Sequence, residues 1–510
     1  MKRFQAALAI GLALCLAIFV VRTISWPFVY DAALIRYANF LMQHHLAPYR
    51  DIQDYNLPGS YFFDWLVTHT LGVSALAWRI YDLLLVTASG IAMYRIARPY
   101  SRFAGFYGAA FFVFFHARDG AGQSGQRDLV MTAMVLVGVA LLLGKSPKRR
   151  LMQAFLFGLC IGVAATVKPT ALVALPMILL LPRPEFPARR WRLWLCASAV
   201  GGFFIAPLVA LAWLYRMDSI AAFWRTLTEY IPMHARLGNL GFWPLFTRCI
   251  TASHGTILAI ALLLAFSDPE RRLRRLRVFL GAGMVFGLIS YFVQAKGYPD
   301  HRYPFAAFLF LFAAVEFTSA LQSPGYRRMI GVGGLLFGTV LSGLSMGRPV
   351  RDRWPIEPVA SLTRDLNSLG GAALSNDIQC LDTVDGCIET LYDMRLIQST
   401  GFVYDEFLFT APDAVSPRQS IVRAELRREL LDQLTARPPK VIVVMPRLFP
   451  LGPDHYAKLG RWPDFLRFLD NCYAIQVERD FASGREYHRG YRLYVRQPAC
   501  AAVRMLAPFE

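Results

Sequence analysis

Long apolar runs joined by short charged links dominate this sequence, and no other feature limits its fold as strongly. A membrane-crossing helix needs about 20 apolar residues, or somewhat fewer inside a packed bundle. Such runs cover 6–21, 80–97, 103–115, 129–143, 151–167, 171–181, 193–214, 250–266, 278–294, 304–321 and 329–346. They predict an α-helical polytopic membrane protein with about eleven transmembrane helices. The runs at 103–115 and 171–181 are short for a full crossing. Lys2 and Arg3 precede the first run in the manner of a signal peptide, but no A-x-A site follows it. Leu14 is too large for a lipoprotein box at Cys15, so an uncleaved first span is expected.

The net charge of +19 invites a nucleic-acid reading. The placement of the charges excludes it, because they form short clusters between apolar runs. Every second link is basic. These links hold Arg95, Arg98 and Arg102; Lys145, Lys148, Arg149 and Arg150; Arg183, Arg189, Arg190 and Arg192; Arg271, Arg272, Arg274, Arg275 and Arg277; and Arg327 and Arg328. The positive-inside rule assigns them, with the N-terminus, to the cytoplasm. An odd number of spans then carries the C-terminal part to the other face. A bacterial inner-membrane protein with a periplasmic C-terminal domain is the expectation.

Two domains are expected: a transmembrane domain over 1–348 with a long first periplasmic loop at 22–79, and a soluble periplasmic α/β domain over 349–510. Within the first loop, 31–44 and 60–71 alternate apolar and polar residues at helical spacing, as interfacial helices do. A second long loop at 215–249 is rich in Trp, Arg and Tyr, which favour the membrane interface. In the C-terminal part, 418–436 reads as an amphipathic charged helix and 464–471 as another helix. Strands are expected at 440–445, 473–478 and 491–496. Cys380, Cys387, Cys472 and Cys500 all fall there, an even set that suits an oxidising compartment. Cys15, Cys160, Cys196 and Cys249 lie in or beside apolar runs.

Ionisable groups at membrane depth are costly and mark function. Asp31, just past the first span, is placed to act as a general base; the plainer reading is a helix N-cap. Asp51, Asp54 and Tyr55 belong to a polar loop, Pro48 to Ser60, whose side chains suit a hydroxyl-rich ligand or ordinary turns. Arg127 and Asp128 open the fourth run, where N-capping is again the alternative. Lys168 stands between two apolar runs. Lys296, His301 and Arg302 stand between two later ones, against the charge bias for that face. Contact with a lipid phosphate would account for such cations, and so would snorkelling to headgroups. No strong metal-ligand spacing, P-loop, dinucleotide fingerprint or nucleophile elbow occurs.

Several segments carry a family resemblance: Asp31 after the first span, PYRD, NLPGSYFFDWL, WRIYDLLL, QRDLVMTAMVLVGVALLL, GVAATVKPTALVALP and KGYPDHRYP. Their order resembles that of bacterial type-C membrane glycosyltransferases, including the protein O-mannosyltransferase-like and aminoarabinose transferase-like families. The resemblance spans about Trp26 to Pro304. It implies inverting transfer of a sugar from a polyprenyl-phosphate donor to an envelope glycan, lipid or protein, with no nucleotide donor; neither a cofactor nor a metal is expected. It makes Asp31 the base and Asp128 the second acid, orienting the acceptor. Lys168, Lys296, His301 and Arg302 would hold the donor phosphate, and Asp51, Asp54, Tyr55 and Arg127 would meet the acceptor or sugar. Ala32 replaces the second acid of the mannosyltransferase pair, which speaks against protein mannosylation. A flippase, an O-antigen polymerase or ligase, and a non-catalytic scaffold are the alternatives. A transporter should show two similar halves and mid-span charges, and neither is visible here.

Overall fold

A computed structural model describes residues 1–144, 149–181, 190–268, 273–351, 357–410, 416–448, 452–453, 456–481, 489–498 and 500. Lys145, Lys148, Arg183, Arg189, Arg271 and Arg272 lie outside the described residues. The chain forms two compact units, one of 1–27, 57–211 and 240–354, the other of 28–56, 212–239 and 355–510.

The first unit is a helical bundle, and every apolar run named above lies on one of its helices. Among the described residues, seven helices are long and apolar enough to cross a membrane by length and composition. An eighth is possible if the bent pair Phe242–Cys249 and Ala252–Phe266 counts as one span. The chain is a multi-pass membrane protein. The run at 171–181 folds differently from a regular span: Pro169–Leu180 is a 3-10 helix with Pro176 inside it. Proline supplies no amide hydrogen for an α-helical bond, which explains the departure.

Helix Tyr303–Ala320 is apolar nearly all round and almost wholly buried, so it forms the centre of the bundle. Glycine lets neighbouring backbones approach it. A Cβ on Gly287 would lie 2.3 Å from the Phe305 nitrogen. Small residues at helix crossings are the usual means of packing in a bilayer, where apolar burial alone gives little drive.

Helix Arg274–Gln294 carries polar clusters near both ends. At its start, the Arg277 guanidinium donates to Glu316 at 2.7 Å and 2.8 Å and to Asp268 at 2.6 Å. At its finish, Gln294 contacts Lys168 and Asp128. Seventeen residues at about 1.5 Å each separate the clusters by roughly 26 Å. That is close to the thickness of a hydrocarbon core, about 30 Å.

The second unit is α/β. Its four-stranded sheet runs in the order Ile378–Leu381, Val441–Val444, Arg489–Arg496, Tyr473–Phe481. The first pair is parallel and the other two are antiparallel. Helix Pro417–Ala436 starts at a capping box, with Ser416 and Gln419 satisfying each other's backbone. It buries Val422, Leu426, Leu430 and Leu434, a four-residue repeat that marks one face. The four C-terminal cysteines form two disulfides, Cys380–Cys387 and Cys472–Cys500.

Two segments distant in sequence complete this unit. Helix Asp31–Gln43 is buried from Ala32 to Leu41. The interfacial reading of 31–44 is therefore corrected, because protein covers the helix on nearly all sides. The Tyr37 hydroxyl donates to the Leu396 carbonyl at 3.1 Å and accepts from the Gln398 N–H at 2.9 Å. Tyr230, Met233 and Leu237 join the same apolar core as Phe402 and Phe407.

Candidate active site

Asp128 lies in the first turn of helix Arg127–Leu142, and its carboxylate is fully buried. Burying a lone carboxylate is prohibitive, so its partners define the site. Lys168 Nζ stands 2.9 Å from Asp128 Oδ2. Gln294 ties the two together: its Nε2 donates to Asp128 Oδ1 at 3.0 Å, and its Oε1 accepts from Lys168 Nζ at 2.7 Å. His301 Nε2 lies 4.0 Å from Asp128 Oδ2.

Local folding explains the convergence. Lys168 follows helix Arg150–Val167 in extended backbone, just before Pro169, which disfavours helix at the residue preceding it. Gln294 ends its helix, and Ala295 turns left-handed at φ 55°. His301 belongs to the 3-10 turn Asp300–Arg302, which leads into the central helix. Three helix ends and one turn therefore meet at one end of the bundle. The N-cap alternative for Asp128 does not hold, because Gln126 is the N-cap and Asp128 lies inside the first turn.

Further basic residues follow Gln294 along the chain. Lys296, His301 and Arg302 are buried. The Arg302 guanidinium donates to the Arg248 carbonyl at 3.3 Å, reaches Asp119 at 3.5 Å and lies over the Phe115 ring. Asp128, Asp300 and His301 each offer one ligand atom within 4.8 Å of the others. Carboxylate and imidazole together suit a divalent cation. Lys168 already supplies positive charge to Asp128, so a cation there would have to displace an ammonium group.

The second unit holds Asp31, Asp51, Asp54 and Tyr55. Asp31 is the first residue of its helix, after Tyr30 at φ 56°, so it too lies inside the first turn rather than at the N-cap. Asp51 is paired with Arg50, which is hydrogen-bonded to it at 3.0 Å; the bond holds its carboxyl below the usual range. Asp54 is buried, and its Oδ1 accepts from the Asn56 backbone and side chain at 2.9 Å and 2.8 Å and from the Tyr404 hydroxyl at 3.1 Å. The Tyr55 ring stacks against both His234 and Tyr404, at 4.3 Å and 4.4 Å between centroids. Arg127 is half-buried beside Asp128 in the first unit.

The structure adds residues that the sequence reading passed over. Gln294 is neutral and closes an apolar run, so nothing flagged it. Asp300 sits in a segment already noted for its cations. Asp82 lies within the apolar run 80–97, and an acid there was a signal available in the sequence. It accepts a bond from the Gly125 N–H at 2.6 Å and lies 3.1 Å from His116 Nε2.

A family model described as glycosyltransferase family 87 matches residues 58–324, just over half of the chain and the part that supplies this cluster. The chain belongs to glycosyltransferase family 87. No curated protein matches it closely in sequence. Among solved structures it is similar to ArnT from Cupriavidus metallidurans bound to undecaprenyl phosphate, at 12% identity and a TM-score of 0.55, covering 96% of this chain and 98% of that one. It is also similar to the oligosaccharyltransferase of Archaeoglobus fulgidus tethered with an acceptor peptide, at 12% identity and a TM-score of 0.54, covering 98% and 74%. These neighbours share the fold of the type-C membrane glycosyltransferases. This family 87 member is thus a membrane glycosyltransferase with a C-terminal α/β region.

Proposed function

We propose that this protein transfers a sugar, with inversion, from a polyprenyl-phosphate donor to a lipid, glycan or protein of the bacterial cell envelope, at the periplasmic face of the inner membrane. The observation that carries the reading is the buried contact of Asp128 with Lys168, Gln294 and His301 where three helix ends meet. A lipid-borne donor dissolves in the bilayer, so its headgroup meets the protein where spans end. The neighbour ArnT, bound to undecaprenyl phosphate, supports that donor class. The alternation of basic links supports the orientation.

In this scheme Asp31 takes the proton from an acceptor hydroxyl or amine as that atom attacks the anomeric carbon. The bond from that carbon to the phosphate oxygen breaks with its electron pair, and polyprenyl phosphate leaves. Lys168, Lys296, His301 and Arg302 stabilise the charge that develops on the phosphate. Asp128 orients the acceptor, with Arg127. Asp51, Asp54 and Tyr55 contribute to recognition of acceptor or sugar.

Purified protein in nanodiscs tests the proposal, with undecaprenyl phosphate as the probe and undecaprenyl-phosphate sugars as candidate donors. Asp31→Asn should abolish transfer yet leave undecaprenyl phosphate binding within about threefold, as expected for a group acting in the chemical step. Lys168→Met should weaken that binding by about tenfold or more. Unchanged binding in Lys168→Met, or full transfer by Asp31→Asn, would defeat the assignment.

A further inference from the structure

We infer that Asp82 is a positioning residue that sets the two turns of the candidate site in register. The role matters for transfer only if the function proposed above is right, but the geometry stands independently of it. Asp82 lies about two turns into helix Ala75–Ala97 and is fully buried. Its charge is met by the buried Arg79 guanidinium, which is bonded to it and lies over the Trp26 and Phe19 rings.

Two hydrogen-bonded routes leave this carboxylate. The first is direct. The Gly125 N–H donates to Asp82 Oδ1 at 2.6 Å, three residues before Asp128. Trp78, one turn earlier on the same helix, donates from Nε1 to the Ser124 carbonyl at 2.9 Å. Gly125 has φ +65°, and a Cβ there would lie 2.7 Å from the Trp78 ring. The turn is therefore clamped against this helix by its backbone, and only glycine fits it.

The second route passes through His116 on helix Arg102–Asp119. Its Nε2 lies 3.1 Å from Asp82, and its Nδ1 lies 2.9 Å from the Tyr303 hydroxyl. An Nε2–H donated to Asp82 leaves Nδ1 to accept from Tyr303, which assigns the tautomer by its partners. Tyr303 directly follows the Asp300–Arg302 turn and opens the central helix. One carboxylate thus anchors both the turn that delivers Asp128 and the turn that delivers His301. Those two side chains face each other at 4.0 Å. Buried ionic networks are costly for stability alone, and fixing one arrangement among several is their best-attested use.

Hydrogen–deuterium exchange of the full chain in detergent tests this, alongside binding of undecaprenyl phosphate as the probe. Asp82→Asn should speed exchange in both 120–128 and 298–304 while helix Pro417–Ala436 keeps its wild-type rate. Trp78→Phe should loosen only the first turn and Tyr303→Phe only the second, so a folding failure of Asp82→Asn does not end the test. Undecaprenyl phosphate should bind about tenfold more weakly to Asp82→Asn, the loss typical for removing a partner that orients a site residue. Wild-type exchange in both turns, or loosening throughout the chain in all three variants, would overturn the inference. If wild-type protein fails to bind undecaprenyl phosphate, the donor reading falls and the exchange pattern alone decides the role of Asp82.

Discussion

Gln294 offers the sharpest test of the charge arrangement. Its amide donates to Asp128 at 3.0 Å and accepts from Lys168 at 2.7 Å. Gln294→Glu keeps the size of the side chain and the acceptor facing Lys168. It replaces the donor facing Asp128 with a charged oxygen. Two unit charges 3 Å apart repel by about 5 kcal/mol at an effective dielectric constant near 20. Lys168, 2.7 Å from the other oxygen at position 294, attracts the new charge by about as much, so the net cost is that of burying a second carboxylate and losing the bond to Asp128, about 2–3 kcal/mol. The folded protein should melt several degrees below wild type at pH 8. The deficit should shrink at pH 5.5, where one of the two crowded carboxylates takes up a proton. Gln294→Leu removes the same bonds without adding charge, so its deficit should not change with pH. Thermal unfolding followed by tryptophan fluorescence in one detergent at both pH values reads the comparison. A Gln294→Glu protein that melts with wild type at pH 8, or shows a deficit unchanged at pH 5.5, would refute the reasoning.

Three further outcomes are expected. Arg50 holds the Asp51 carboxyl below its ordinary range, so Asp51 adds stability above the unfolded carboxylate value near 3.9 and loses it as pH falls through its lower folded value; Asp51→Asn should therefore lower thermal stability at pH 7 and match wild type near pH 2. The Cys472–Cys500 disulfide closes a separation of 28 residues, worth about 3–4 kcal/mol by loop entropy, so Cys472→Ser should make the C-terminal region markedly more sensitive to protease without altering insertion of the helical bundle. Because Lys168 supplies the charge at Asp128, undecaprenyl phosphate binding should survive chelation by EDTA, and loss restored by a divalent cation would make Asp128, Asp300 and His301 a metal site instead.

Much of this fold is legible in the sequence because hydropathy is a local signal. Each apolar run lies on a helix, and the 441–444 strand stands out as KVIVVM between prolines and a turn. The even set of C-terminal cysteines does pair. The second unit was harder to foresee. Segments 28–56 and 212–239 join it through contacts such as Tyr37 with Leu396, 359 positions away, and no local pattern encodes such a partner. The 3-10 course of Pro169–Leu180 was masked by its hydropathy, although its prolines argued against a regular helix. In the candidate site, charge revealed Asp128, Lys168, His301 and Arg302 individually. The amide that joins two of them carries no charge, whereas Asp82, an acid inside an apolar run, was a visible signal without a visible partner.

Helix Arg274–Gln294 bears on how the protein meets its lipid. Clamped to Glu316 and Asp268 near one end and to Asp128 near the other, it works as a strut of fixed length. A thinner or thicker bilayer cannot stretch it, so the mismatch must be absorbed by tilting the bundle as a body or by deforming the lipid. Acyl-chain length in reconstituted membranes then becomes a control on how deep the Asp128 cluster sits, with no residue of the protein changed.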